Sequence, residues 1–176
     1  MTDDPPDLSL PDNAAGAPTL PNPALPDRLA RCIADERIEV AIVGHGAAAA
    51  TAEIAARILG VPLAAIVKTM VLTDGTRFVA AILPGDRRLD RKRVAAAIDI
   101  KSLRFASAAE VLEQTGYPAG GVAPLGFARP TTVVVDDSLS GWAIGGGGRE
   151  DLLIHVAVDD IVRVNGARRA AICQPA

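Results

Sequence analysis

Aromatic residues, cysteine and histidine are all scarce in this chain of 176 residues. Aromatic residues make up only 3% of a chain that is 49% hydrophobic, so we expect a core of Ala, Val, Ile and Leu side chains. The two cysteines, Cys32 and Cys173, fit neither a metal-binding spacing nor a disulfide-rich scaffold, which favours a reducing cytoplasm. With only His45 and His155 available, a zinc centre is not expected.

Long apolar runs and a basic leader are also missing. The longest stretch of low charge, residues 40–52, is short and rich in alanine, which argues against a membrane span. The amino terminus opens with Asp3 and Asp4 rather than Lys or Arg, so no signal peptide is predicted.

The recognisable catalytic and nucleotide-binding motifs are absent as well. The chain has no Gly-x-Ser-x-Gly, no dinucleotide fingerprint and no Walker loop, and its serines at 138 and 140 lie in a turn-like segment. A covalent catalytic triad therefore cannot be assembled from this sequence.

Charge is distributed unevenly along the chain. The net charge is −3, but residues 1–27 hold five Asp and no Lys or Arg, which leaves +2 for residues 28–176. Seven of the 13 prolines also lie in residues 1–27, so we predict a disordered acidic tail followed by one domain over 28–176. Five basic residues crowd into residues 87–93, which form either a solvated helix face or a surface for a polyanion.

Hydrophobic patterning predicts a mixed α+β fold with a curved or closed sheet. Strands are predicted over residues 38–43, 67–73, 76–83, 131–135, 142–144 and 152–156, the second and third joined by a two-residue Asp-Gly turn. Helices are predicted over residues 28–34, 51–60, 90–98, 107–116 and 158–164. Thr51 and Ser107 are the expected N-caps of two of these helices.

One lysine interrupts an apolar strand. Lys68 lies in Ala-Ala-Ile-Val-Lys-Thr-Met-Val-Leu, where an isolated ammonium either reaches a rim or enters a cleft that holds an anion. Two glycine-rich segments follow, at residues 120–124 and 145–148. The first can present main-chain donors to an oxyanion, whereas four glycines in the second are equally typical of a wide hairpin loop.

At these residues the chain resembles the YbaK/prolyl-tRNA synthetase editing-domain family of aminoacyl-tRNA deacylases. The resemblance runs from about residue 51 to residue 172 and rests on five motifs in the family's order. They are Thr51-Ala-Glu-Ile-Ala-Ala with Ile-Val-Lys68-Thr, Leu83-Pro-Gly-Asp-Arg-Arg, Thr115-Gly-Tyr-Pro-Ala-Gly-Gly-Val-Ala-Pro, Val134-Val-Asp-Asp-Ser-Leu, and the glycines before Leu152-Leu-Ile-His.

The resemblance implies a barrel-like mixed sheet with flanking helices and hydrolysis of amino acids wrongly esterified to tRNA. It implies that Lys68 holds the phosphate or sugar of the terminal adenosine, and that the 120–124 loop positions the aminoacyl group and the attacking water. The implied catalytic set is Lys68, Gly120, Gly121, Val122, Ala123 and Pro124. The implied substrate-binding set is Thr51, Thr69, Gly147, Gly148 and His155.

The resemblance also bears on substrate and partners. The cysteine-specific branch of the family carries a tyrosine and an acidic residue about where Ile42 and Leu153 stand here, so alanine or a similar small aliphatic residue on proline tRNA is expected. We expect a cytoplasmic monomer or weak dimer, without cofactor or metal, that meets the aminoacylated end of tRNA, with an aminoacyl-tRNA synthetase as a further candidate partner. A non-catalytic binding module with the same pocket, or a nucleotide-binding protein using residues 145–148, remains an alternative.

Overall fold

The computed structural model describes residues 24–44 and 51–175. Within these residues the helices are α1 (Asp27–Glu36), α2 (Ala52–Leu59), α3 (Arg91–Ala97), α4 (Ala108–Thr115) and α5 (Val158–Asn165). The strands are β1 (Val40–Gly44), β2 (Val67–Thr73), β3 (Phe78–Pro84), β4 (Arg104–Phe105), β5 (Thr132–Asp136), β6 (Trp142–Gly146), β7 (Leu152–Ala157) and β8 (Arg168–Ala170). The predicted tail lies outside the described residues except for 24–27, where α1 begins. In the described part of the chain, no helix is long and apolar enough to cross a membrane.

The strands form two sheets. One is antiparallel in the order β1-β7-β6, and the other is mixed in the order β4-β2-β3-β5-β8, with β5 parallel to both β3 and β8. An isolated bridge between Ile66 and Ile144 joins the two sheets. The mixed α+β class is confirmed, but the barrel-like closure is not observed, because in the described part of the chain strand pairing between the sheets is limited to that bridge.

The five-stranded sheet is buried on both faces. Successive residues of β3 point to opposite faces of the sheet and pack in two different hydrophobic clusters. Ala80 and Ile82 pack on the face covered by α4 and α5. Val79, Ala81 and Leu83 pack on the face covered by α3. A smaller cluster lies at the junction of the two sheets, where α2 covers the bridge. The prediction of an aliphatic core is confirmed, since Tyr117 is the one aromatic side chain among the described residues that is fully buried.

The predicted helix starts are confirmed by their caps. Thr51 Oγ1 accepts a hydrogen bond from Ile54 N at 3.3 Å, and Ser107 and Glu110 form a reciprocal capping box. The connection between β2 and β3 differs from the prediction because it spans residues 74–77 rather than two residues. Asp74 Oδ1 accepts hydrogen bonds from the N–H groups of residues 76 and 77, and this side-chain capping stabilises the longer turn.

Two short strands were not predicted from the sequence. β4 has two exposed residues, and β8 reads Arg-Arg-Ala, so neither carries an apolar alternation. β8 is held by its parallel pairing with β5 and by Asp136 at the end of β5. The buried Asp136 carboxylate accepts hydrogen bonds from Ile172 N at 3.0 Å and from Ser138 N at 3.1 Å.

The charge of Asp136 is stabilised inside the fold. Burial alone would raise the pKa of this carboxyl, but hydrogen bonds from Ser138, Cys173 and Ile172 outweigh it and lower the pKa. Burial and the adjacent carboxylate raise the pKa of the Cys173 thiol to about 12, so Cys173 stays protonated and donates to Asp136. Asp136 therefore joins the segment that follows β8 to the end of β5.

We predict that Asp136→Ala lowers the free energy of unfolding by about 2–4 kcal/mol, because it leaves the buried Ile172 N–H and Cys173 thiol without an acceptor. Asp137→Ala is the matched control, since Asp137 is the exposed neighbour, and it should change stability by less than about 0.5 kcal/mol. Urea unfolding measures both. Equal stability of the two variants would contradict this role.

The pKa of Asp136 is lowered on folding. Its contribution to the free energy of unfolding is therefore present near neutral pH and is lost as the pH falls through the folded pKa.

Candidate functional site

A cavity of about 300 Å³ opens where the two sheets meet. Its walls are the start of α2, the first half of β2, the 120–124 loop and the facing ends of β6 and β7. The lining residues are Thr51, Ala52, Glu53, Ala55, Ile66, Val67, Lys68, Thr69, Met70, Gly120, Val122, Gly146 and Leu153. The cavity thus brings together five predicted site residues from three separate segments: Thr51 at the cap of α2, Lys68 and Thr69 on β2, and Gly120 and Val122 in the loop.

Lys68 supplies the positive charge of this cavity. Its half-buried side chain leaves β2 opposite Leu83, and its Nζ donates a hydrogen bond to Arg87 O at 2.6 Å. An ammonium has three N–H donors, so this bond orients the group and leaves two donors for a ligand. No carboxylate in the described part of the chain forms an ion pair with Lys68.

The first half of β2 presents an open edge to the cavity. In an antiparallel ladder, the N–H and C=O of one residue both point toward the strand on one side, and those of the next residue point toward the other side. Ile66 O accepts from Gly85 N at 2.7 Å on the β3 side, whereas Val71 O accepts from Ala106 N at 3.0 Å on the β4 side. Thr69 is two residues before Val71, so its main-chain groups point to the same side as those of Val71. β4 pairs only with Leu72 and Thr73 and does not extend as far as Thr69. The N–H and C=O of Thr69 therefore face the cavity.

The 120–124 loop faces Lys68 and Thr69 from the other wall. It begins with a tight turn in which Gly121 N donates to Pro118 O at 3.0 Å and Gly120 has a φ of 92°. That positive φ at the third turn position favours glycine. The N–H of Gly121 is used within the turn, whereas those of Gly120 and Val122 have no acceptor among residues 24–44 and 51–175. Since Gly120 and Val122 line the cavity, these two N–H groups are the donors that the loop can offer to a ligand there.

The loop packs directly against the main chain of the 145–148 run and the residue that follows it. A Cβ on Gly121 would lie 2.5 Å from Arg149 C, and a Cβ on Gly146 would lie 2.5 Å from Val122 O. Both glycines are therefore required for the approach of the two backbones, because a side chain at either position would force them apart. This packing accounts for glycines in the second segment without a bound nucleotide.

Two side chains fix the far end of the loop. Asn165 Nδ2 donates to Pro124 O at 2.9 Å and to Ile161 O at 2.8 Å, which ties the loop to the end of α5. The buried Tyr117 hydroxyl lies 3.0 Å from Leu125 O, and burial raises its pKa. Sequence reasoning missed Asn165, because a helix-terminal asparagine carries no signal that distinguishes it from an ordinary cap.

Glu53 is a second residue that sequence reasoning missed. It lies in the first turn of α2 and lines the cavity together with Lys68. Its own backbone N–H, the Thr51 hydroxyl and the charge of Lys68 all lower the pKa of its carboxyl. The cavity therefore carries one cationic and one anionic side chain. The signal was available in the sequence, since an acid in the first turn of a predicted helix interacts favourably with the helix dipole.

Several predicted site residues lie outside the cavity. Gly147 packs on Leu152, Gly148 packs on Tyr117, and Ala123 and Pro124 are buried behind the loop surface. His155 stacks on Trp142 with ring centroids 4.8 Å apart, and burial lowers its pKa. None of these five residues is among those that line the cavity, so the catalytic role of Ala123 and Pro124 and the substrate contacts of Gly147, Gly148 and His155 stay predictions.

A metal centre was not expected from the sequence. Among residues 24–44 and 51–175, no group of three or more His, Cys, Asp and Glu side chains comes together in a way that would hold a metal ion. His45, one of the two histidines considered, lies outside the described residues.

Comparison with known proteins identifies the family. The family model for the aminoacyl-tRNA editing domain matches residues 46–164, which include every residue that lines the cavity. The chain belongs to the aminoacyl-tRNA editing domain family. The resemblance to YbaK and to the editing domain of prolyl-tRNA synthetase is therefore confirmed.

Relatives and solved structures agree with this assignment. A proline–tRNA ligase of Thermosipho africanus (strain TCF52B) is 34% identical over 118 residues, which cover 65% of this chain and 21% of the ligase. The chain thus matches about a fifth of that enzyme's length. The crystal structure of hypothetical protein APE2540 matches with a TM-score of 0.78 and 32% identity, covering 84% of this chain and all of that one. A protein described as a candidate trans-editing enzyme for prolyl tRNA synthetase matches with a TM-score of 0.75 and 25% identity, covering 86% and 100%.

We predict that Gly121→Ala destabilises the fold by about 1–3 kcal/mol, because its Cβ would overlap the main chain of Arg149. Gly141→Ala is the control, since Gly141 has a φ of 65° but nothing within 4 Å of an added Cβ. It should lose only about 1 kcal/mol, the cost of the left-handed backbone. Thermal unfolding compares the two, and a smaller loss for Gly121→Ala than for Gly141→Ala would refute the close packing.

Proposed function

We propose that this protein is a trans-editing deacylase that hydrolyses mischarged tRNA, with alanine or a similar small aliphatic residue on proline tRNA as its substrate. The observation that carries the proposal is the meeting of Lys68, the open edge at Thr69 and the free N–H groups of Gly120 and Val122 in one cavity of an editing-domain fold. Action in the cytoplasm remains the expectation from the sequence.

The charges of the cavity fit the end of an aminoacylated tRNA. Lys68 has two unused ammonium donors for the phosphate or sugar of the terminal adenosine. The Glu53 carboxylate is complementary to the α-ammonium group of an esterified amino acid. The main chain of Thr69 offers one N–H donor and one C=O acceptor to the α-amino and carbonyl groups that all esterified amino acids share. These contacts therefore do not distinguish one amino acid from another, and the walls that surround the amino-acid side chain must do so.

Ester hydrolysis in this cavity requires positioning rather than a nucleophilic side chain. A water attacks the ester carbonyl carbon, and the developing oxyanion accepts hydrogen bonds from Gly120 N–H and Val122 N–H. The bond between the carbonyl carbon and the terminal sugar oxygen breaks, that oxygen takes up a proton, and the free amino acid is released. The resemblance implies that a hydroxyl of the tRNA itself assists, which suits a cavity without a triad.

Apolar walls would select the amino acid by size. Ile66, Val67, Val122 and Leu153 surround the space next to the main-chain donors. One methylene is worth only about 1–3 kcal/mol in such a pocket, so neighbouring aliphatic residues should be discriminated by roughly 10- to 200-fold.

A non-catalytic module that binds aminoacyl-tRNA or a synthetase is the second candidate. It is favoured by the absence, among the described residues, of a histidine or cysteine lining the cavity. Purified protein incubated with alanyl- and prolyl-charged proline tRNA separates the two. The deacylase releases alanine and spares the prolyl ester, whereas binding without release of either amino acid supports the module.

We predict that Lys68→Met reduces kcat/KM on alanyl-tRNA by about 10- to 100-fold, because a charge-assisted hydrogen bond to substrate is worth about 1.5–3 kcal/mol. Methionine keeps the unbranched apolar stem, so the melting temperature should stay within a few degrees of the parent protein. Lys68→Arg, which keeps the charge, should recover part of the activity. A large fall in melting temperature with activity that scales with the folded fraction would mark Lys68 as structural.

A further inference from the structure

A second and larger concavity, of about 910 Å³, lies beside α3 and is not used by the proposed reaction. It has an apolar floor that includes Ile100 and Leu103, and a polar rim formed by Asp90, Arg91, Lys92 and Lys101. The carboxy-terminal residues Gln174 and Pro175 close one side. We refer to this feature as the α3 groove.

The groove is set in a strongly basic surface. Residues 85–104 hold seven Lys or Arg and three Asp, a net charge of +4 in a chain whose net charge is −3. The Asp90 carboxylate already has partners on its own helix: its Oδ1 accepts a hydrogen bond from Lys92 N at 2.9 Å, and its Oδ2 lies 3.7 Å from the Arg93 guanidinium. Arg88, Lys92 and Lys101 are exposed, and none has an acidic partner within residues 24–44 and 51–175.

The α3 groove is joined to the cavity by two hydrogen bonds. Lys68 Nζ donates to Arg87 O at 2.6 Å on the cavity side, and Arg87 Nη2 donates to Gln174 O at 3.1 Å on the groove side. The segment between β3 and α3, which we call the ridge, therefore contacts a lining residue of each concavity through Arg87.

We propose that the α3 groove binds the phosphate backbone of the tRNA whose aminoacylated end enters the cavity. The inference rests on the proposed function, and it adds the surface that contacts the rest of the nucleic acid. Free, exposed ammonium and guanidinium groups next to a site for a tRNA end are what a polyanion requires. RNA is favoured over an acidic protein because the tRNA end proposed for the cavity continues into a polyanionic backbone, and Arg87 connects the cavity to the groove.

The test measures binding of uncharged proline tRNA, which needs no chemical step. The double variant Lys92→Glu with Lys101→Glu should weaken binding at least tenfold. The dependence of log K on log salt should also flatten, by about 0.7–0.9 for each phosphate that the variant no longer neutralises. The milder pair Lys92→Gln with Lys101→Gln should show a smaller change in the same direction, and unchanged thermal unfolding shows that both variants are folded.

Arg129→Glu is the matched control. It changes the charge by the same amount for each substitution, at an exposed arginine that pairs with Glu113 on the α4 side of the sheet. It should leave affinity and salt slope within twofold of the parent. Arg129→Glu changes the net charge by −2 and the double Glu variant by −4, so a loss of binding free energy in Arg129→Glu of half that in the double variant or more would reflect net charge alone and overturn the proposal.

The remaining outcomes separate the two proposals. If the parent binds tRNA through the groove but hydrolyses no aminoacyl ester, the groove stands and the deacylase proposal fails. If the parent hydrolyses alanyl-tRNA and the groove variants bind tRNA like the parent, the deacylase stands and the groove proposal is overturned. Binding of an acidic peptide instead of RNA, or no tRNA binding by the parent, also overturns the groove.

Discussion

Main chain packed against main chain is the constraint on which the cavity depends. The 120–124 loop lies so close to residues 145–149 that a single Cβ at Gly121 or Gly146 would meet backbone atoms at 2.5 Å. With no side chains between them, the two segments form a thin wall that faces β2. The N–H groups of Gly120 and Val122 stay available on that wall because the turn uses only the N–H of Gly121.

Lys68 then connects the cavity to the surface beyond it. The strand carries the side chain to the rim, and the carbonyl of Arg87 fixes the ammonium while leaving donors free. The same Arg87 contacts Gln174 at the edge of the α3 groove. One short ridge thus positions the charge in the cavity and displays basic side chains outside it, so the proposed substrate chemistry and nucleic-acid recognition share a structural element.

Local sequence signals predicted most of the elements and part of the cavity. Thr51 and Ser107 specify two helix starts through short-range hydrogen bonds, and both predicted caps are confirmed. The predicted strand over residues 76–83 contains a continuous apolar run, and the structure has β3 over most of it. Lys68 and Gly120 were identifiable because a charge in an apolar strand and a paired glycine are locally exceptional. By contrast, β8 depends on pairing with β5, which is distant in sequence, and Asn165 reaches the loop only after α5 has packed. The closed sheet was expected both from the irregular order of strands and helices and from the resemblance, but in the described residues pairing between the sheets is limited to one bridge.

The central claim is that Lys68, Thr69, Gly120 and Val122 surround a single ligand. Titrating the ¹⁵N-labelled protein with a non-hydrolysable amide analogue of 3′-alanyl-adenosine, and following its amide and lysine Nζ resonances by NMR, tests this most directly. The account predicts saturable shifts concentrated at the Thr69, Gly120 and Val122 amides and at Lys68 Nζ. Shifts confined to Gly147, Gly148 and His155, or saturable binding that leaves these four residues unchanged, would contradict it.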